Sequence, residues 1–158
     1  LLSSSMPPEN LREKKALQSI LDDSISTIID RITLKKVSWK VVYPDEPAYI
    51  LADSLKLKIA FTNIIINAIE AMNDNKGELN ISVTSQNGHH LVSIKDNGTG
   101  ISKETLPHLF EPYFTFKRNG LGLGLATTLN IIQSHKASID VQTGLDQGSN
   151  FILKFEKV

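Results

Sequence analysis

The chain of 158 residues has no cysteine. That removes disulfide frameworks, thiolate nucleophiles and Cys-ligated zinc, and leaves the redox compartment open. It has no net charge either, since 17 Lys and Arg balance 17 Asp and Glu. A general nucleic-acid binder is thereby disfavoured, although a local basic site is not. No apolar run approaches the roughly 18 residues that a membrane-spanning helix needs. Nor does the chain open on a charged region followed by an apolar core, as a secretory signal would. Contact with nucleic acid or membrane is therefore not expected of this piece. Aromatic residues are scarce at 6%. What remains is an ordinary globular balance, 41% hydrophobic and 22% charged, sufficient for one domain with a core.

The opening LLSSSMPPEN is polar and carries Pro7-Pro8, which predicts a linker or frayed end over 1–10. A helical period runs from Leu11 to Ile32, with Leu17, Ile20, Leu21, Ile25, Ile28, Ile29 and Ile32 on one face. Such a stripe either lies on its own domain or forms half of an interhelical contact; its length of about four turns favours the second. Val37, Trp39, Val41 and Tyr43 then alternate as a strand stopped by Pro44, and Tyr49 to Ala52 reads as another. A helix from Ser54 to Met72 follows, then two strands, 78–85 and 90–95, joined by the hairpin signal Gln86-Asn87-Gly88. Residues 96–119 have no sustained period, a helix is expected over 121–134, and Ile139/Val141 with Phe151/Leu153/Phe155 form a last strand pair. The order predicts an α+β fold with helices on one face of a mixed, mostly antiparallel sheet.

Four segments carry chemistry. On the second helix Asn63, Asn67 and Glu70 fall within about 60° of one another at 100° per residue, on an otherwise apolar cylinder. The stripe is either a solvated face or a set of hard oxygen donors suited to Mg²⁺. Asp96-Asn97-Gly98-Thr99-Gly100-Ile101 follows directly on a strand. A carboxylate at that point can accept from an exocyclic amine such as adenine N6, or it can simply cap a β-turn. In Asn119-Gly120-Leu121-Gly122-Leu123-Gly124-Leu125, three alternating glycines open a helix. Helix propensity does not explain them, because each costs about 1 kcal/mol relative to Ala in a helix interior. Exposed backbone N–H groups for phosphate explain them, and so does close packing. Lys117 and Arg118 stand just before this run, where a cation meets phosphate or solvent. Finally, Leu109 to Lys117 holds four of the six Phe and three Tyr residues, a cluster that either flaps over a ligand or is buried under the sheet.

Taken together and in this order, the segments resemble the N-box, D-x-G-x-G box, F-box and G-x-G-x-G box of the ATP-binding catalytic domain of sensor histidine kinases, in the GHKL ATPase superfamily. Gly148-Ser149-Asn150-Phe151 resembles the family's terminal turn, and the N-A-I-E-A-M wording looks most like the nitrogen-regulator branch. The match spans about Val37 to Val158. The resemblance implies a two-layer α/β sandwich binding Mg-ATP between the N-box helix and a lid. It implies Asn67 as the Mg²⁺ ligand, with Asn63 supporting the metal or the phosphates, and Lys117 approaching the terminal phosphates. Asp96 would read adenine N6, with Gly98, Gly100 and Ile101 beside the base. Gly120, Leu121, Gly122, Leu123 and Gly124 would cradle the phosphates. ATP-hydrolysing relatives carry a general-base Glu at the position of Asn63, so Asn there points to phosphoryl transfer, not hydrolysis.

The sequence departs from this family in two ways. Phe116 stands where close relatives often have Thr. None of the four histidines is followed by an acid, as a phosphoacceptor His would be. The acceptor is therefore expected on a dimerisation helix outside this chain, with residues 11–36 as the second helix of that hairpin and 37–158 as the ATP-binding domain. The expected partners are ATP, the dimerisation and phosphoacceptor domain of the same protein, and a response-regulator receiver domain. The parent is expected to be a homodimer, with this piece cytoplasmic; many such kinases are membrane-anchored. The rival readings are a non-catalytic nucleotide-binding module and an anti-sigma-type serine kinase.

Overall fold

The computed structural model describes residues 12–114 and 124–158. Its elements run β1 (Glu13–Ala16), α1 (Leu17–Leu34), β2 (Ser38–Val42), β3 (Tyr49–Ala52), α2 (Ser54–Ala71), β4 (Glu78–Gln86) and β5 (His89–Asp96). A 3-10 turn (Leu106–His108), α3 (Gly124–Ser134), β6 (Ser138–Thr143) and β7 (Ser149–Glu156) complete it. Five strands form one sheet in the order β2-β4-β5-β7-β6. β2 and β4 are parallel and the other pairs antiparallel. β1 and β3 form a separate antiparallel pair.

Alternation decides which face of the sheet is covered. Leu79, Ile81 and Val83 on β4, Val92 and Ile94 on β5, and Phe151, Leu153 and Phe155 on β7 are all buried. Between them stand half-buried or exposed residues such as Ser82, Lys95 and Lys154. The β4–β5 hairpin turns on Asn87 and Gly88, both with positive φ, as a two-residue turn between twisted strands requires. The three helices cover the apolar face, with α2 in contact with both α1 and α3. Asp53 caps α2 by accepting from the Lys56 backbone N–H. On α2 the arc Leu57, Ala60, Phe61, Ile64, Ile65, Ala68 and Ile69 is buried, and Phe61 meets Phe155 edge to face across the two layers. This is the α+β, helices-on-one-face architecture that the sequence predicts. Among the described residues no helix is long and apolar enough to cross a membrane.

One expectation needs correction. The first helix begins at Leu17, not Leu11, because Glu13–Ala16 pair with Tyr49–Ala52. Its apolar stripe packs against α2. Leu17, Ile20, Leu21, Ile25, Ile28 and Ile32 are buried in the same core as α2. α1 thus packs on the unit that carries the site. Residues 1–10, expected to be a linker, lie outside the described residues.

Candidate nucleotide and metal site

The site forms where the second half of α2 meets the end of β5. The chain leaves β5 at Asp96 and at once docks on α2, the Thr99 N–H donating to the Ala71 carbonyl at 3.0 Å. Asn97 latches this loop to the start of β4: its Oδ1 accepts from Glu78 N–H at 2.9 Å and its Nδ2 donates to the Lys76 carbonyl at 3.0 Å. From the other side comes the turn between β6 and β7. The Asp146 N–H donates to the Thr99 carbonyl at 2.7 Å, and the Ile101 N–H donates to Thr143 Oγ1 at 2.9 Å.

Within this frame the glycines answer to protein backbone. A Cβ on Gly98 would overlap the Ala71 carbonyl, and one on Gly100, at φ +73°, would overlap the Gly144 carbonyl. The resemblance implies that they admit a base; the structure supplies a packing reason for each. Gly148 is held likewise, against the Asp96 carbonyl. Ile101 is half-buried, its N–H already taken by Thr143.

Asp96 is the chemically exceptional residue, a carboxylate only 4% exposed. Its Oδ1 accepts from the Gly98 N–H at 2.8 Å, and the Ser149 N–H also bonds to it. Burial pushes its carboxyl up, and the two backbone donors only partly oppose that. Among the described residues no cation pairs with it. A buried acid with donors on one side and no counter-ion suits a neutral N–H donor, as an exocyclic amine is.

On α2, Asn63 and Asn67 are both half-buried, and Glu70 is exposed one turn on. Asn63 Nδ2 donates to the Gly124 carbonyl at 3.1 Å, tying α2 to the first described residue of α3. The metal expectation fits this donor set. Two amide oxygens are hard ligands, and among the described residues no group of three or more His, Asp or Glu side chains converges on a cation site. A divalent cation here would rely on amides together with the charge of the phosphates it accompanies. Gly124 itself has room, since a Cβ there would stand 3.8 Å from Asn63 Cγ. Lys117, Gly120, Leu121, Gly122 and Leu123, and with them Phe116 and Arg118, lie outside the described residues.

The aromatic cluster divides. Leu109 is buried and Phe110 packs against the core, whereas Tyr113 is 78% exposed in the left-handed region at φ +66°. Sequence reasoning gave no role to Asn97, Thr128, Thr143 or Ser149. Thr128 and Ser149 are polar side chains buried within otherwise apolar patterns, and that mismatch is the signal that marks them.

Comparison with known proteins agrees with this geometry. The model of the histidine kinase-, DNA gyrase B- and HSP90-like ATPase family matches residues 52–158. Sporulation kinase A of Bacillus subtilis (strain 168) is 32% identical over 158 residues, covering 99% of this chain but 26% of that protein. The chain thus spans about a quarter of that relative's length. The solved catalytic domain of histidine kinase ThkA superposes with a TM-score of 0.83 at 26% identity, covering 92% of this chain and 95% of that one. ThkA solved in complex with the response regulator TrrA has the same fold, with a TM-score of 0.78 at 24% identity over 93% of this chain and 42% of that one. A strand-end acid, an amide-bearing helix and glycines packed on backbone thus occur in a chain that belongs to the histidine kinase-, DNA gyrase B- and HSP90-like ATPase family.

Proposed function

We propose that this chain is the ATP-binding catalytic domain of a sensor histidine kinase, donating the γ-phosphoryl group of Mg-ATP to a histidine on a dimerisation helix of the parent protein. The buried Asp96 carries the reading, because a carboxylate kept 4% exposed, with no counter-ion among the described residues, stabilises little by itself and is matched by adenine N6. Asn67 supplies the amide oxygen for Mg²⁺, and Asn63 supports the metal and phosphates from one turn earlier. Lys117 and the run from Gly120 to Gly124 flank the phosphates. Bound Mg²⁺ would neutralise phosphate charge, and the protein's own share is positioning. In the transfer, the bond from the γ-phosphorus to the β–γ bridging oxygen breaks. A phosphorus–nitrogen bond forms to the acceptor imidazole, ADP leaves with the electron pair, and the imidazole proton is lost to solvent. Asn63, an amide, has no basicity with which to activate water, in keeping with transfer over hydrolysis.

The full parent works as a homodimer and passes the phosphoryl group to a response-regulator receiver domain, the class of partner seen with ThkA. Its site of action is the cytoplasm, where ATP is. Mixing this chain and Mg-ATP labelled at the γ-phosphate with a hairpin bearing the acceptor His tests the reading. An acid-labile label on the hairpin is expected. An acid-stable label would instead identify a serine kinase, and nucleotide binding without any label would identify a non-catalytic module.

A further inference from the structure

Thr128 lies fully buried on α3, and its Oγ1 donates to the Gly124 carbonyl at 2.8 Å. A hydroxyl has one proton, so its lone pairs alone remain for other neighbours. Asn63 Nδ2 stands 3.4 Å from that oxygen and 3.1 Å from the same Gly124 carbonyl. Both groups facing the Asn63 amide from α3 are therefore acceptors. Only the nitrogen end of the amide can turn toward them, and Oδ1 is left on the opposite side of the amide. A carbonyl alone would leave one of the two amide protons without this partner. The Thr128 hydroxyl completes the pair and commits the orientation.

We propose that Thr128 is a positioning residue for Asn63: it holds the amide with its oxygen available to the metal that accompanies the phosphates, and so couples the α2 face to the start of α3. This rests on the assignment of Asn63 to the phosphate side of the site. A valine at 128 preserves shape and removes the hydroxyl, whereas serine preserves the hydroxyl.

The test is titration of the whole chain with ATP, once with Mg²⁺ and once with EDTA, for the wild type, Thr128→Val, Thr128→Ser and Asn63→Ala, and for the Asn63→Ala/Thr128→Val double variant. Thr128→Val is expected to weaken Mg-ATP binding about fivefold. Thr128→Ser should stay within about twofold of wild type, and metal-free ATP should bind both within about twofold. In the Asn63→Ala background, Thr128→Val should cost nothing further, because the group it orients is gone. This last comparison holds even where the valine lowers the melting temperature. Equal losses with and without Mg²⁺, or a Thr128→Val protein that binds like wild type, would overturn the proposal while leaving the nucleotide site standing. A wild-type chain whose ATP affinity ignores Mg²⁺ would overturn both.

Discussion

Around Asp96 the backbone is closely packed. Gly98, Gly100 and Gly148 each face a backbone carbonyl at less than contact distance for a methyl group, and Asn97 and Thr143 fasten the same turn by side-chain hydrogen bonds. Around Asn63 the arrangement is more open: among the described residues nothing stands closer than 3.8 Å to a Cβ on Gly124, and the Asn63 amide bonds Gly124 and Thr128 from α2 across to α3. The first region is shaped by protein against protein, before any ligand arrives. The second presents donors and acceptors on a helix face. Recognition of a flat base benefits from a preformed pocket, whereas a hydrated cation and its phosphates are held by polar atoms that need little enclosure.

The strongest way to break this contrast is to put a methyl group on each side. Gly100→Ala, at φ +73° against the Gly144 carbonyl, should lower the melting temperature by about 10 °C or more and abolish ATP binding. Gly124→Ala should shift melting by no more than about 2 °C. Equal tolerance at the two positions, read by calorimetric melting, would erase the distinction.

Asp96→Asn is next in size. Because burial raises the carboxyl, the folded state favours its protonated form, and that stabilisation is lost as pH rises through the folded value. At neutral pH the ionised group therefore opposes folding. Asn keeps an acceptor for the Gly98 and Ser149 N–H groups but presents a donor toward an incoming amine. ATP affinity should fall about thirtyfold, some 2 kcal/mol, while the melting temperature holds or rises. Loss of both together would mark Asp96 as structural.

Asn67→Ala sharpens the other side. It should remove about tenfold of Mg-ATP affinity and leave ATP binding in EDTA unchanged, as titration calorimetry would read. Retention of the full Mg²⁺ effect would take the metal away from Asn67.

The smallest effect is expected from acid. His135 and His90 lie below the ordinary value of 6.5, both chiefly through burial. His135 is committed as a neutral ring: Nδ1 bonds the Ile131 carbonyl at 2.8 Å, and Nε2 accepts from the Asp53 N–H, at the N-cap of α2, at 3.1 Å. A depressed folded value means stability is fully present above 6.5 and is lost as pH falls through the folded values. Melting scans from pH 7 to pH 5 should show a drop of a few degrees, reduced in His135→Gln. A flat profile would contradict the assignment of a neutral, committed His135.

Much of this was legible in the sequence because periodicity and turn chemistry act locally. The arc Leu57 to Ile69, the Asn87-Gly88 hairpin and the alternation of Phe151, Leu153 and Phe155 each announce the face that is buried. The failures had tertiary causes. Glu13 to Ala16 carry no alternation, and only pairing with β3 makes them a strand. The α1 stripe marks a covered face but not its cover, and α2 packs against it. In the site, the boxes pointed to Asp96, Asn63 and Asn67 by residue type. The packing of Gly98 on Ala71 and of Gly100 on Gly144 joins positions far apart in the chain, as does the bridge from Thr128 to Asn63, so local pattern could not reveal them.

The central claim is that the amide face of α2 and the Asp96 loop together bind ATP with its magnesium. Isothermal titration of the purified chain with ATP at up to millimolar concentration, with and without Mg²⁺, tests it most directly. The account predicts a saturable one-site heat that strengthens when Mg²⁺ is present and weakens about thirtyfold in affinity in Asp96→Asn. No heat of association at millimolar Mg-ATP would contradict it.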